Sequence, residues 1–401
     1  MTRRAIRLHL ATLALALTAS ACSERLTQPG QCPELCPGGT PQSQEEILTA
    51  LPNQDSTFTG YTQRSSGSVM LVSSGIPTLA DTNFGVIKFA ARSDSILFRD
   101  TLRAYTIDSI RLTLLSVSHD TAARNVEVQL YRLPSSLDTT TLSYAGVQPF
   151  FVPANLITTA TLPNTAVADT LRLTLTGSAL TNLVLQPADA GVLAIGVAIT
   201  GNIPTGGRMG NRLSILRPDF ITFVTPISTP TQAQGIDVAP TFADYVSRQT
   251  PVADPTVLTI GGVPSSRALI RFPWPARLRD SVTIVRATLE LTPVQPVAGL
   301  PNDAGTLNVR GLATDFGAKS PVEPLSLGVL PLAANVTDTV RVEVATVLQF
   351  WQTGLLRPPA IFLSVSPEVE TFTRAVFGST RSGSPPRIRL NYLPRFPFSR
   401  P

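Results

Sequence analysis

A chain of 401 residues, 43% hydrophobic and 15% charged, is long enough for two globular domains, and this composition excludes disorder throughout. The formal net charge is +5, but Arg3, Arg4 and Arg7 lie in a segment that we expect to be removed, which leaves 29 basic and 27 acidic residues. The arginines are scattered singly, a pattern that does not indicate nucleic-acid binding. The 35 prolines and 26 glycines favour many short strands joined by turns.

The first 22 residues have the pattern of an export signal. They read MTRRAIRLHLATLALALTASAC, with a basic start, a short apolar run and small residues before Cys22. The apolar run is shorter than the roughly 20 residues of a membrane-spanning helix. Ala19–Cys22 resembles the lipobox of bacterial lipoproteins, which implies cleavage after residue 21 and acylation of Cys22. Ser23 implies, by the same resemblance, an anchor in the outer membrane. The alternative is an ordinary signal peptide.

Residues 22–55 are rich in Gln, Pro, Gly, Ser and Thr, which predicts a flexible tether. Within it, Cys32 and Cys36 are the cysteines that remain once Cys22 is lipidated. An exported chain meets an oxidising compartment, so we predict a disulfide between them. Two thiols without nearby histidines do not complete a zinc site, and the spacing differs from that of redox centres.

One sequence pattern occurs twice. Ser266–Leu291 and Asn83–Leu115 both contain an apolar strand with a basic residue before Phe, then an Arg-Asp pair and an alternating strand. Ala168–Leu173 and Thr337–Val342 repeat a second pattern. We therefore predict an all-β protein with two tandem antiparallel β-sandwich domains of jelly-roll type. The predicted order is signal peptide 1–21, tether 22–55, first sandwich 56–225, linker 226–235, second sandwich 236–393 and tail 394–401.

Alternating and apolar runs predict the strands inside these domains, and one short helix is predicted at Val344–Trp351, ending at Gly354. Gly201–Asn211 (GNIPTGGRMGN) lacks the Lys-Ser or Lys-Thr pair of a phosphate-binding loop, so we interpret it as a loop between strands. The predicted strands are Val86–Phe89, Ser109–Val117, Asn125–Leu133, Thr170–Leu175, Gly191–Ile199, Val257–Ile260, Leu269–Phe272, Val282–Leu291, Thr306–Gly311, Asp338–Val344, Ala360–Val365 and Pro386–Tyr392.

The second domain resembles a DNRLRE-type module, a jelly-roll family of exported and surface proteins. The matching segments are Ala243–Val246 (ADYV), Ala268–Phe272 (ALIRF), Arg286–Leu291 (RATLEL), Asp338–Trp351 and Pro386–Tyr392 (PRIRLNY). The family's internal Trp-x-Glu has no counterpart near Leu312–Phe316. The resemblance implies a non-catalytic surface module, and some members of the family bind acidic polysaccharides.

The catalytic candidates are few. His119, beside Asp120, is the one histidine after the leader, and no Gly-x-Ser-x-Gly nucleophile motif accompanies it. Glu368 and Glu370 would share a face of an extended segment, as paired glycosidase carboxylates do, but solvated surface carboxylates are the simpler interpretation. The acidic residues lack the spacing of a calcium loop. We expect no enzyme activity, no metal and no cofactor.

Trp274, Arg277 and Arg279 are the candidate ligand-binding residues. Trp274 lies between two prolines, and an aromatic ring beside guanidinium groups suits an acidic sugar. The alternative is that Trp274 plugs the edge of the sandwich. We expect a lipid-anchored surface protein that binds a glycan, such as an acidic polysaccharide, or a surface protein. The alternatives are a purely structural surface protein and a weak polysaccharide hydrolase.

Overall fold

The computed structural model describes residues 43–61, 69–76, 79–164, 168–183, 189–215, 217–227, 233–248, 254–302 and 305–395. These residues form an all-β structure, as the sequence predicts. The strands are β1 Gln44–Thr49, β2 Ser56–Tyr61, β3 Val69–Ile76, β4 Leu79–Phe89, β5 Ser95–Phe98, β6 Thr101–His119, β7 Glu127–Leu133, β8 Leu156–Thr161, β9 Asp169–Leu175, β10 Ala194–Thr200, β11 Gly206–Gly210, β12 Asp219–Pro226, β13 Gln234–Val238, β14 Pro240–Ser247, β15 Val257–Gly261, β16 Ser265–Arg271, β17 Val282–Leu291, β18 Gly305–Gly311, β19 Gly328–Leu332, β20 Val340–Glu343, β21 Ala360–Ser366, β22 Arg374–Gly378 and β23 Arg387–Pro394.

The helices are short: α1 Tyr144–Val147, α2 Ser178–Leu183, α3 Ala276–Asp280 and α4 Ala345–Thr353, with 3-10 turns at Gln148–Phe150, Pro153–Asn155 and Gly317–Lys319. Helix α4 ends where predicted, because Gly354 adopts a left-handed conformation with φ +71° that favours glycine. Val347, Leu348 and Trp351 form its buried stripe. The predicted short helix is thus confirmed.

The strands form two sandwiches, which we call the first and second modules. In the second module, one layer has the order β19-β18-β21-β16-β15-β22 with β2 beside β16, and the other has the order β1-β23-β17-β20. In the first module, the corresponding layers are β8-β7-β10-β4-β3-β11, with β14 beside β4, and β13-β12-β6-β9. All these pairs are antiparallel, and apolar side chains from both layers of each module meet in one core.

Except for β5, the two modules correspond strand for strand, which supports the predicted duplication. The last strand of each module, β12 or β23, pairs on one side with the long strand β6 or β17 and on the other with β13 or β1. One difference is that β11 pairs with both β3 and β6, which joins the two layers of the first module. Gly206–Gly210 is therefore a strand, and the prediction of a loop throughout Gly201–Asn211 is wrong for these residues.

The path of the chain between modules differs from the predicted boundaries. β1, expected within the tether, pairs with β23, and β2, expected in the first domain, pairs with β16 of the second module. Conversely, β13 and β14, expected in the linker and the second domain, pair with β12 and β4 of the first module. The first module is thus continuous, residues 69–247, whereas the second consists of residues 43–61, which we call the N-terminal arm, and residues 254–395.

The sequence of the arm explains why it fits the second module. Ser56–Tyr61 (STFTGY) and Pro240–Tyr245 (PTFADY) share Thr-Phe and a Tyr three residues later. Phe58 packs on the apolar cluster of Leu269 and Phe362, and Phe242 packs on the corresponding cluster of the first module. Each module therefore contains a strand with this Thr-Phe pattern. In both cases the strand comes from a segment that was predicted to belong to the other module. Residues 226–235 connect two paired strands and do not separate domains.

The modules contact each other through a small apolar cluster. Leu71 and Ile76 of the first module pack with Val263, Leu300 and Phe372 of the second. The hydroxyl of Tyr245 donates a hydrogen bond of 2.7 Å to the Val369 carbonyl across the same contact. The Thr-rich insert 134–153 covers the outer side of the first module, where the Phe151 ring stacks on Phe84 with centroids 3.8 Å apart.

The strand pairings predict which fragments fold. Residues 69–247 contain every strand of the first module and should unfold cooperatively on their own. Residues 254–395 lack β1 and β2, which removes Leu48 and Ala50 from the core and leaves the edge of β23 unpaired, so they should fold only when a peptide of residues 43–61 is added. Circular dichroism melts of the two fragments, with and without the peptide, give the measurement. Cooperative melting of residues 254–395 alone would contradict the assignment of the arm.

Candidate ligand-binding face

The sequence-predicted site residues fall in two places. Cys22, Cys32 and Cys36 lie outside the described residues, so the predicted lipid and disulfide stay predictions. Trp274, Arg277 and Arg279 lie in the connection between β16 and β17, on and before helix α3. The short helix buries Leu278 and holds Trp274 against the end of the core.

Trp274 is half-buried and does not form an exposed plate. Its ring meets Trp351 edge to face at 5.3 Å, and its indole N–H is buried without a hydrogen-bond partner among the described residues. The Arg277 guanidinium pairs with Glu46 of β1, and this hydrogen bond raises the pKa of Arg277. In this geometry Trp274 closes the end of the sandwich and Arg277 holds the arm, which agrees with the alternative of an edge plug. Ligand binding by Trp274, Arg277 and Arg279 stays a prediction.

Replacing Trp274 by Ala should lower the free energy of unfolding by about 2 to 4 kcal/mol, since it removes the ring that covers Trp351. Trp274→Phe should cost less than about 1 kcal/mol, because it keeps an aromatic ring and the lost N–H makes no hydrogen bond. Arg279→Ala, at an exposed position, is the control. Denaturant unfolding measures all three, and an unchanged midpoint for Trp274→Ala would contradict the plug.

The side chains of the catalytic candidates His119 and Glu368 are buried or ion-paired. His119 is 1% exposed, so its imidazole does not reach solvent or a substrate. Burial lowers the pKa of His119, and the Pro163 carbonyl and the charges of Asp120 and Asp169 oppose this shift. Glu368 forms a two-pronged ion pair with Arg267, with nitrogen to oxygen distances of 2.7 and 2.5 Å. This geometry gives neither a triad nor a free carboxylate pair.

The buried histidine predicts an acid-sensitive stability. Because the pKa of His119 is lower in the folded than in the unfolded chain, the unfolded chain binds the proton first as the pH falls below about 6.5. The free energy of unfolding should fall by up to about 1.4 kcal/mol per pH unit until the folded-state pKa is reached. His119→Gln should remove this slope between pH 7 and 5.5 in urea titrations, and an identical slope in both proteins would contradict the assignment.

A polar groove of about 440 Å³ lies elsewhere, on the outward face of the layer β1-β23-β17-β20. Strand alternation builds it, because Leu289, Val342 and Leu390 point into the core and their neighbours point away. The groove is lined by Arg286, Thr288, Glu290, Arg341, Glu343, Arg389 and Asn391.

These side chains form a network of exposed ion pairs. Glu290 accepts from Arg389 at 3.3 Å and lies 3.6 Å from Arg341, and Arg286 lies 3.4 Å from Glu343. Arg389 also pairs with Glu45 of the N-terminal arm, and the hydrogen bonds to Glu290 and Glu45 raise the pKa of Arg389. Exposed pairs of this kind contribute about 0 to 1 kcal/mol of stability. The guanidinium groups stay accessible from solvent, whereas the Glu290 side chain is only 17% exposed.

The corresponding layer of the first module carries different side chains on its outward face. By strand register, its positions corresponding to Arg286, Arg389 and Asn391 hold Ser109, Ile221 and Phe223. Arg172 is the counterpart of Arg341. Arg172 lies opposite Thr113 of β6, and Arg341 lies opposite Glu290 of β17, which is the residue that corresponds to Thr113. The fold therefore does not require a charge at the positions of Arg286 and Arg389, and these two side chains can serve another purpose.

Sequence reasoning missed this face. Its signal is the alternation of charged with apolar residues in Arg286–Leu291 and Arg387–Tyr392, which predicts half-buried strands but does not reveal that both strands lie side by side. Glu45, from a segment assigned to the tether, completes the network from 344 residues away. Only the pairing of strands brings these residues together.

The described ranges contain no group of three or more His, Cys, Asp or Glu side chains that is placed to hold a metal ion. In the same part of the chain, no helix is long and apolar enough to cross a membrane. No family model matches the sequence, and the search of curated proteins gives no significant match. The fold and the groove thus define an all-β, two-module protein with one polar face as its candidate site.

Proposed function

We propose that the chain is an exported lipoprotein that binds an acidic polysaccharide through the polar groove of its second module, without catalysis. The groove is the observation that carries the proposal. Its lining holds three arginines and two glutamates, and Glu45 of the N-terminal arm adds a third carboxylate. Guanidinium forks bind carboxylates in two-pronged geometry, and the carboxylates, Thr288 and Asn391 supply partners for sugar hydroxyls.

The anchor completes this proposal. Acylation of Cys22 would attach the chain to the outer membrane, and two or more acyl chains give stable attachment. Residues 22–43 would then separate the lipid from β1, whose Gln44 lies beside Tyr392 at one end of the layer that bears the groove. Intact mass of the membrane-extracted protein tests the lipid. The resemblance to DNRLRE-type surface modules agrees with this role and rests on motifs alone.

A purely structural surface protein is the second candidate, since exposed ion pairs also occur on solvated sheet faces. The first module favours this candidate for itself, because its corresponding face holds Ile221 in place of Arg389 and Phe223 in place of Asn391. The two candidates predict different responses of the same polymer-binding measurement.

Residues 23–401 should bind polygalacturonate, a polymer of uronic acids, in affinity electrophoresis and calorimetry, and more weakly as salt rises. The double variant Arg341→Ala/Arg389→Ala should lose at least tenfold in affinity, because each charge-assisted hydrogen bond contributes about 1.5 to 3 kcal/mol. Arg172→Ala, at the matched position of the first module, should bind as the parent protein does.

The remaining outcomes decide between the alternatives. A parent protein that binds neither polygalacturonate nor a neutral glucan would support the structural role. Binding that survives in the double variant would place the ligand elsewhere. Release of reducing ends by the parent, lost in Glu290→Gln, would show hydrolysis by carboxylates of the groove.

A further inference from the structure

The N-terminal arm makes its strand pairings with the second module, although its chain continues into the first. β1 pairs with the last strand, from Gln44 opposite Tyr392 to Thr49 opposite Arg387. β2 pairs with β16, from Ser56 opposite Leu269 to Tyr61 opposite Ser265. Leu48 and Ala50 of the arm are 3% exposed and belong to the second module's core.

Polar contacts also hold the arm in place. Asp55 is fully buried and accepts hydrogen bonds from the backbone N–H and the hydroxyl of Thr380, at 2.6 and 2.7 Å. The Arg381 guanidinium neutralises it at 3.0 Å. The Arg267 guanidinium lies 3.8 Å from the centre of the Tyr61 ring. A carboxylate is tolerated in a buried position only with such partners, so the second module is a specific socket for this arm.

The contacts that the second module makes with the arm depend on the local sequence of the arm and not on which copy of the chain supplies it. β13 and β14 occupy the corresponding socket of the first module. The arm therefore leaves the first module, whose socket is filled, and must enter a second module. An arm from another copy would make the same strand pairings, the same Asp55 clamp and the same ion pairs. Exchange of identical elements between copies is a low-cost route to assemblies for this reason.

We propose that the N-terminal arm of one copy inserts into the second module of another copy, so that the chain forms strand-exchanged dimers or longer assemblies. A second copy is the partner, and residues 43–61 are its docking segment. Insertion of the arm into its own chain competes with this exchange, because a short connection gives the arm an effective concentration of roughly millimolar at its own second module. Exchange is therefore favoured where copies fold together at high local concentration. In such an assembly, Glu45 of one copy completes the groove of the next.

A cysteine pair across β1 and β23 reports which chain supplies the arm. Thr49 and Arg387 face each other on exposed positions, at a separation across antiparallel strands that suits a disulfide. Residues 23–401 with Cys32→Ser, Cys36→Ser, Thr49→Cys and Arg387→Cys are refolded at rising protein concentration and oxidised. Non-reducing electrophoresis should show dimers and larger species, their share rising with concentration and vanishing on reduction.

The matched control is Arg111→Cys/Thr174→Cys, which face each other on β6 and β9 within the continuous first module. This pair should give an intrachain disulfide at every concentration. Monomer alone for the Thr49/Arg387 pair at every concentration would overturn the proposal. If the cysteines impair folding, light scattering of residues 23–401 with the natural sequence, refolded over the same range, decides it. An exclusively monomeric mass there also overturns it.

Discussion

The pairing of the first described strand with the last is the constraint on which the structure depends. β1 covers the edge of β23, fills the core with Leu48 and brings Glu45 to Arg389 and Glu46 to Arg277. Without it, β23 would present an unpaired edge and the core would open to water. Asp55 strengthens the pairing, because a buried carboxylate is tolerated only with its partners Thr380 and Arg381 in place. The same strand, β1, therefore closes the second module and completes its polar face.

The duplication provides an internal comparison of what the sandwich requires and what it merely permits. Both modules keep the order of strands, the apolar inward positions and the Thr-Phe pattern of the strand beside β4 or β16. They differ where side chains point outward. They also differ in the segment between β4 and β6 of the first module and between β16 and β17 of the second. The second module has helix α3 there, next to Trp274, whereas the first module has the hairpin β5-β6, in which Leu97 and Leu102 are exposed. Function is to be sought in these differences.

Trp274 illustrates how one local sequence is compatible with two structural roles. Flanking prolines and nearby arginines suggest a rigid aromatic platform, and the same prolines equally direct a ring onto the end of a core. The packing partner is Trp351, 77 positions away, whose ring contacts that of Trp274 edge to face with centroids 5.3 Å apart. Arg277 is decided in the same way by Glu46, which lies in a segment whose composition resembles a linker.

The sequence by itself determined the all-β class, the twofold repeat and helix α4, because alternation, repeated motifs and a terminal glycine are local signals of hydrogen bonding and burial. The tertiary structure decided which repeat unit receives which strands. Gln44–Thr49 is polar enough to resemble a tether and becomes a strand only because β23 offers a free edge and the core offers a site for Leu48. The polar groove was decided in the same way: its residues come from three strands far apart in the chain, and their proximity depends on register, which no local pattern specifies.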